Sequence, residues 1–227
     1  MKAAALVAAL LLGGAGPAGL DALSAAYPGQ FTRDGAELVW SDGTRIAFSP
    51  DQLTASYPRT LPPEVPPEAA DPGRSRNSEF LAKMYGECRR GEVEPRLTVV
   101  SWPGGHSVRM TTVNHVDRHL AAVARELDAP EWRHFLWPMG GSYICRPVAD
   151  TGQPSMHSYG AAIDINVAVG DYWLWRHGAP WRDRVPDEVV AAFERHGFIW
   201  GGRWSHYDTM HFEYRPELLG MSAEEVD

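Results

Sequence analysis

Apolar side chains recur at three- and four-residue spacing between Thr112 and Leu127, where Val113, Val116, Leu120, Val123 and Leu127 fall on one side of a helix. That stripe predicts a helix over 112–127 packed on a core. A second helix is predicted over Asp187–His196, with Pro186 and Asp187 at its start and Gly197 at its end. Elsewhere the period falls to two. Glu37-Leu38-Val39-Trp40 and Arg45-Ile46-Ala47-Phe48 flank an Asp42-Gly43 turn and read as a hairpin, and Leu97–Val100 reads as a strand. From 161 to 167, Ala161, Ile163, Ile165 and Val167 alternate with Ala162, Asp164 and Asn166. Met210, Phe212 and Tyr214 alternate in the same way with His211 and Glu213, so two strands each carry one polar face.

The ends of the chain read differently. Lys2, the apolar run Ala3–Leu12 and the small residues Gly13–Ala18 have the layout of a secretory signal over residues 1–26, cut after Ala18 or after Ala26. The apolar run is too short to span a bilayer, and no cysteine near the cut offers a lipid anchor. The other reading of this stretch is an alanine-rich helix buried in the mature domain. Export implies a secreted protein, extracellular or periplasmic, with no membrane attachment once the signal is removed; a monomer is expected. Residues 27–78 hold the hairpin and then a strap, Pro58–Pro72, with six prolines. All candidate chemistry lies between about 79 and 218, and 219–227 form a tail. No internal repeat is present.

Composition narrows the class. A chain of 227 residues, 44% hydrophobic with nine tryptophans, has enough apolar surface for one globular core. A net charge of −8 gives nucleic acid no general electrostatic attraction. The two cysteines, Cys88 and Cys145, are free to close one loop in an oxidising compartment or to remain as buried thiols; neither belongs to a Cys-x-x-Cys pair.

His157, Asp164 and His211 form a sensible catalytic zinc set, because two imidazoles and one carboxylate leave a fourth position open for water. Gly160 permits a bend that returns His157 to the face carrying Asp164. Peptide hydrolysis also needs a base, for which Asp208 is the candidate, and a positive group for the developing oxyanion, for which Arg146 is available. Glu213 is placed to accept from a ligand imidazole and so choose its tautomer. Spacing alone does not decide this, since His-x6-Asp and Asp-x2-His arise by chance. His106, His115, His119, His134, His177 and His196 read as surface or satisfied core residues, and His206 as a supporting group rather than a ligand.

Ser155-x-His157-x2-Gly160-x-Ala162-x-Asp164, followed by Trp204-x3-Asp208-x2-His211-Phe212-Glu213, resembles the M15 metallopeptidases over about residues 79–218. These are the D-alanyl-D-alanine carboxypeptidases and dipeptidases and the L-alanyl-D-glutamate endopeptidases. The resemblance implies an α+β domain, a small antiparallel sheet with flanking helices, as in the hedgehog signalling domain. It also implies one zinc on His157, Asp164 and His211, Asp208 as general base, Arg146 at the substrate, and Ser155, Trp204 and Glu213 supporting the site. The implied substrate is peptidoglycan or its stem-peptide fragments. Where dipeptidases and many carboxypeptidases carry Glu three residues before the last histidine, this chain has Asp208, similar to the L-alanyl-D-glutamate branch.

Serine-based wall enzymes are excluded: Lys83 is preceded three positions back by Phe80, and no Gly-x-Ser-x-Gly elbow occurs. The competing class is a zinc-containing wall-binding or signalling module of the same fold that does not hydrolyse. Asp208 beside a complete ligand triad separates the two, since a pure binding site needs no base. A closed structural zinc site would need a fourth protein ligand, for which only His206 is available.

Overall fold

The computed structural model describes residues 19–49, 52, 57, 71–176, 182 and 184–224. The predicted signal through residue 18, the strap from 58 to 70, His177 and residues 225–227 lie outside the described residues.

Helix α1 (Leu20–Ala26) turns Leu20, Leu23 and Ala26 into the core. Strands β1 (Thr32–Asp34), β2 (Glu37–Val39) and β3 (Arg45–Ala47) then form an antiparallel sheet. The Asp-Gly turn joins β2 to β3: Asp42 Oδ1 accepts from Thr44 N at 3.0 Å, and Gly43 takes a φ of 85°. Helix α2 (Ser78–Tyr85) begins where the Asn77 side chain accepts from Phe80 N and ends at Gly86. Phe80 fastens the hairpin to the body, with ring centroids 5.8 Å from Phe31, 5.9 Å from Trp40 and 5.5 Å from Phe48.

β4 (Leu97–Trp102) runs two residues beyond the predicted strand and pairs with β5 (His106–Thr111) across Gly104 and Gly105. Helix α3 (Val116–Glu126) starts four residues later than the apolar pattern predicts. Asn114 and His115 hold left-handed φ values of 54° and 57°, which an α-helix cannot contain, so Val113–His115 forms a separate 3-10 turn. Val116, Leu120 and Val123 are nevertheless buried on the predicted face.

The remaining elements are α4 (Arg133–Leu136), β6 (Met139–Gly141), β7 (Ala162–Asn166), α5 (Trp173–Arg176), α6 (Asp187–Arg195), β8 (Phe198–Trp200) and β9 (His211–Tyr214). The four strands make one antiparallel sheet in the order β6-β7-β9-β8. Phe193 of α6 stacks on Phe212 of β9 with centroids 3.8 Å apart, which seats the helix on the back of the sheet. Truncating Phe212 to Ala would cost about 3–5 kcal/mol through lost contacts and the cavity left behind. The fold is α+β, with small antiparallel sheets and flanking helices.

Two details depart from the predicted alternation. Val167 is 39% exposed and lies outside the core, because β7 ends one residue earlier. Asn166 ends it by accepting from Ala168 N at 2.9 Å while donating to the carbonyls of His134 and Trp137. A polar residue placed by alternation on an open face is therefore buried. The core is continuous from Leu20 to Ala223, and Ala223 N donates to Ala26 O at 2.8 Å. Among the described residues no helix is long and apolar enough to cross a membrane.

Candidate metal centre

Strand pairing builds the site. In the β7–β9 ladder Asp164 stands directly opposite His211, and directly opposed side chains project to the same face. Asp164 Oδ1 and His211 Nδ1 are 2.8 Å apart. His157 reaches them from a 3-10 turn, Met156–Tyr159, whose first N–H donors include His157 N, accepted by Ser155 Oγ at 3.3 Å. Gly160 closes that turn at φ 67°, and a Cβ there would lie 2.5 Å from Leu97 Cδ2, so both conformation and space require glycine. His157 Nε2 comes to 3.0 Å from Asp164 Oδ1 and 3.2 Å from His211 Nδ1. Among the described residues these three side chains are the group whose ligand atoms lie close enough together to hold a metal ion.

The outer nitrogens decide where the protons sit. His157 Nδ1 donates to the carbonyl of Ser142, which leaves Nε2 as a lone pair facing the cluster. His211 Nε2 donates to Glu213 Oε2 at 3.0 Å, which directs Nδ1 inward. The cluster then draws positive charge to its centre. Burial alone would lower the His211 imidazole, but its hydrogen bonds to Asp164 and Glu213 outweigh burial and raise it to about 10. Asp164 is held well below the usual carboxylate range: burial works against this, and His157 and the bonds from both imidazoles overcome it. A divalent cation among these three atoms would meet the demand that a proton on His211 otherwise meets. The donor set, two imidazoles with inward lone pairs and one carboxylate, fits zinc.

Asp208 lines the same cleft as His211 and Arg146. Its Oδ1 is buried without a hydrogen-bond partner. Burial, and then the nearby charge of Asp164, push its carboxyl up to about 7, against the pull of His211 and Arg146. Gly201 makes room for it, because a Cβ at Gly201 would stand 2.5 Å from the Asp208 carbonyl oxygen. Arg146 sits at the rim, 44% exposed, with Nη2 3.8 Å from Asp164 Oδ2. Trp204 meets the His211 ring edge-to-face at 5.4 Å. His206 is not part of the triad: Asp71 takes its Nδ1 at 2.5 Å, and its ring stands edge-on to Trp173 at the cleft wall.

Several contributors escaped the sequence reading. The Ser142 carbonyl that orients His157 carries no side-chain signal at all. Behind His211, Glu213 is fully buried and shared by Arg76 at 3.4 Å and Arg215 at 3.3 Å. Burial opposes ionisation of Glu213, but Arg76 and His211 hold it down to about 2. Arg215 also pairs with Glu217, which accepts from Tyr27 Oη at 2.9 Å, so the network reaches the N-terminal segment. The bridge that the sequence offered as one of two alternatives is present: Cys88 and Cys145 are joined in a disulfide with Cα atoms 5.7 Å apart, immediately before Arg146.

An M15 peptidase family model described as D-alanyl-D-alanine carboxypeptidase matches residues 149–214. The matched segment contains His157, Asp164, Asp208, His211 and Glu213, and it bears out the M15 resemblance carried by the two motifs. Arg76, Ser142, Arg146 and the disulfide lie outside it. Neither the curated proteins nor the solved structures give a match.

Proposed function

With an M15-type segment as the premise, we propose that this chain is an exported zinc peptidase that hydrolyses peptide bonds in the stem peptides of peptidoglycan, in a hedgehog-like variant of the α+β fold. The observation that carries the reading is the convergence of His157 Nε2, Asp164 Oδ1 and His211 Nδ1 beside a buried, unpartnered oxygen of Asp208.

His157, Asp164 and His211 would hold the ion. Zinc there would polarise the scissile carbonyl and bring the acidity of water into the neutral range. The other steps belong to the chain. Asp208 takes a proton from the attacking water and returns it to the leaving amine nitrogen. A carboxyl raised towards 7 by burial is suited to both transfers, although a cation beside it would pull it back down. Arg146, half in solvent, faces the oxygen that gains charge as the carbonyl is attacked. Glu213 keeps His211 in the tautomer that points Nδ1 inward. Trp204 covers His211 from one side and limits water around it.

The packing of α1 into the core supports signal cleavage after Ala18, since a cut after Ala26 would remove Leu20, Leu23 and Ala26 from it. The test of the reading is digestion of purified peptidoglycan with mass analysis of the released fragments, with and without a chelator. Chelator-sensitive release of stem-peptide fragments is expected, and it should be absent with His157→Ala. Fragments released equally with and without the chelator would overturn the zinc assignment; no release at all would overturn the peptidase.

A further inference from the structure

One wall of the catalytic cleft comes from outside the matched family segment: Asp71, Gly73 and Arg74 line it together with Asp208 and His211. The path of this stretch is closely held. A Cβ at Gly73 would lie 2.5 Å from Trp204 Cζ3, so only glycine lets the chain lie against that ring. Arg215 Nη1 donates to the Pro72 carbonyl at 3.3 Å.

Asp71 is buried, and its Oδ2 accepts from three donors of one neighbouring turn: Ser205 Oγ at 3.1 Å, His206 N at 3.3 Å and His206 Nδ1 at 2.5 Å. One carboxylate therefore holds both the main chain and the ring of His206. The ring also stands edge-on to Trp173, with centroids 4.7 Å apart.

A carboxylate only accepts, so the ring proton stays on Nδ1 and Nε2 carries a lone pair. Nε2 makes no hydrogen bond among the described residues. The ring is partly exposed and lines the cleft with Asp208 and His211. A fixed acceptor in the wall of a hydrolytic cleft suits a hydrogen-bond donor on the substrate. Arg74 bears on which donor: its Nε lies 4.0 Å from Asp71 Oδ2, and its guanidinium covers the Trp173 ring at 5.2 Å. The charge of Asp71 is thus already matched, and a neutral peptide N–H fits beside His206 better than a second cation.

We infer that His206 is a substrate-binding residue whose Nε2 accepts a backbone N–H of the substrate peptide beside the scissile bond, and that Asp71 is the positioning residue that fixes its ring and tautomer. The inference rests on the peptidase reading above and adds to it a group that holds the peptide. It also ties the end of the proline strap to substrate recognition.

The experiment measures calorimetric binding of a stem-peptide fragment to the zinc-loaded full chain carrying Asp208→Asn, so that turnover plays no part. His206→Leu should weaken binding about three- to tenfold, the worth of one hydrogen bond, and His206→Gln, which keeps an acceptor oxygen, should restore part of it. Fragments N-methylated in turn at each backbone amide within one residue of the scissile bond identify the donor. One of them should lose about three- to tenfold in affinity for the protein with His206 and nothing further with His206→Leu. Unchanged affinity in His206→Leu, or equal losses in both proteins for every methylated fragment, would overturn the assignment. Cleavage absent from the parent but binding changed as expected would overturn the peptidase reading alone; no binding of any fragment would overturn both.

Asp71→Asn tests the positioning role. Its amide is able to donate to Nδ1, so the ring proton should move to Nε2, read from the imidazole nitrogen chemical shifts, and affinity should fall by the His206→Leu factor. A tautomer that does not move, whatever the affinity, would overturn the role of Asp71. Where that variant does not fold, the parent decides: a proton found on Nε2 of His206 in the parent would overturn the role as well.

Discussion

Arg76 Nη2 lies 3.4 Å from Glu213 Oε2, and both side chains are sealed from solvent. The same carboxylate oxygen accepts from His211 Nε2 at 3.0 Å. An arginine four residues beyond the proline strap thus stands two contacts from His211, held there by the buried charge of Glu213.

Replacing Arg76 with Met should loosen the centre. Glu213 would keep Arg215 but lose the cation that most strongly holds it ionised, so its grip on His211 weakens. Zinc affinity, measured by competition with a chromophoric chelator, should fall about 10–100-fold, as for other partners of metal-bound histidines. The metal-free protein should also melt at a lower temperature. Unchanged affinity and melting would show that the ion pair contributes nothing to the site.

Asp208→Asn separates an enzyme from a binding module. The amide has the same shape but cannot take a proton, so zinc content should persist while turnover drops by about 10² or more. Loss of zinc together with activity would make Asp208 a ligand instead. Retention of both would remove it from the mechanism. Asp208→Glu is the companion: activity kept by Glu and not by Asn assigns the effect to the carboxylate.

The bridge between Cys88 and Cys145 spans 57 positions. In the chain-entropy model such a loop contributes on the order of 4 kcal/mol by restricting the unfolded chain. Denaturant unfolding of the Cys88→Ser/Cys145→Ser variant should report a loss of that order. Thiol labelling of the non-reduced exported protein should modify neither cysteine, and labelling of both would refute the bond.

His119 is buried, with Nε2 3.1 Å from the Ala223 carbonyl and its ring 4.9 Å from that of Tyr214. Burial lowers its pKa below the ordinary 6.5, a shift that the bond to Ala223 only partly offsets. The unfolded chain therefore binds a proton at this residue more readily than the folded one does. Stability from this group is full above about 6.5 and is lost as pH falls from there through the depressed folded value. Urea midpoints of the parent and His119→Leu, both with chelator present, should differ in pH dependence in that window. Parallel profiles would contradict the shift.

Cleavage after Ala18, the cut proposed above, would place the mature N-terminus at Gly19 and keep α1. N-terminal sequencing of the exported protein should begin there. A start at Tyr27 would mean that Leu20, Leu23 and Ala26 are dispensable to the core they now fill.

What the sequence determined by itself was local. Period-two alternation marked the two strands carrying Asp164 and His211, the Asp42-Gly43 pair marked the hairpin, and Pro186 and Gly197 bracketed α6, because each of these signals is confined to a few neighbouring residues. The candidate ligands and the candidate base could be named for the same reason, since two short motifs hold them all. Tertiary structure alone decided what met across the chain. Asp164 and His211 are 47 positions apart, and only the β7–β9 register sets them opposite one another. The burial of Arg76 against Glu213 and the Ser142 carbonyl at His157 likewise have no local signature. Even the start of α3 moved, because the left-handed backbone of Asn114 and His115 interrupts a stripe whose apolar spacing continues through them. Spacing records which side chains can share a face; pairing and burial, which depend on the whole fold, decide which of them touch.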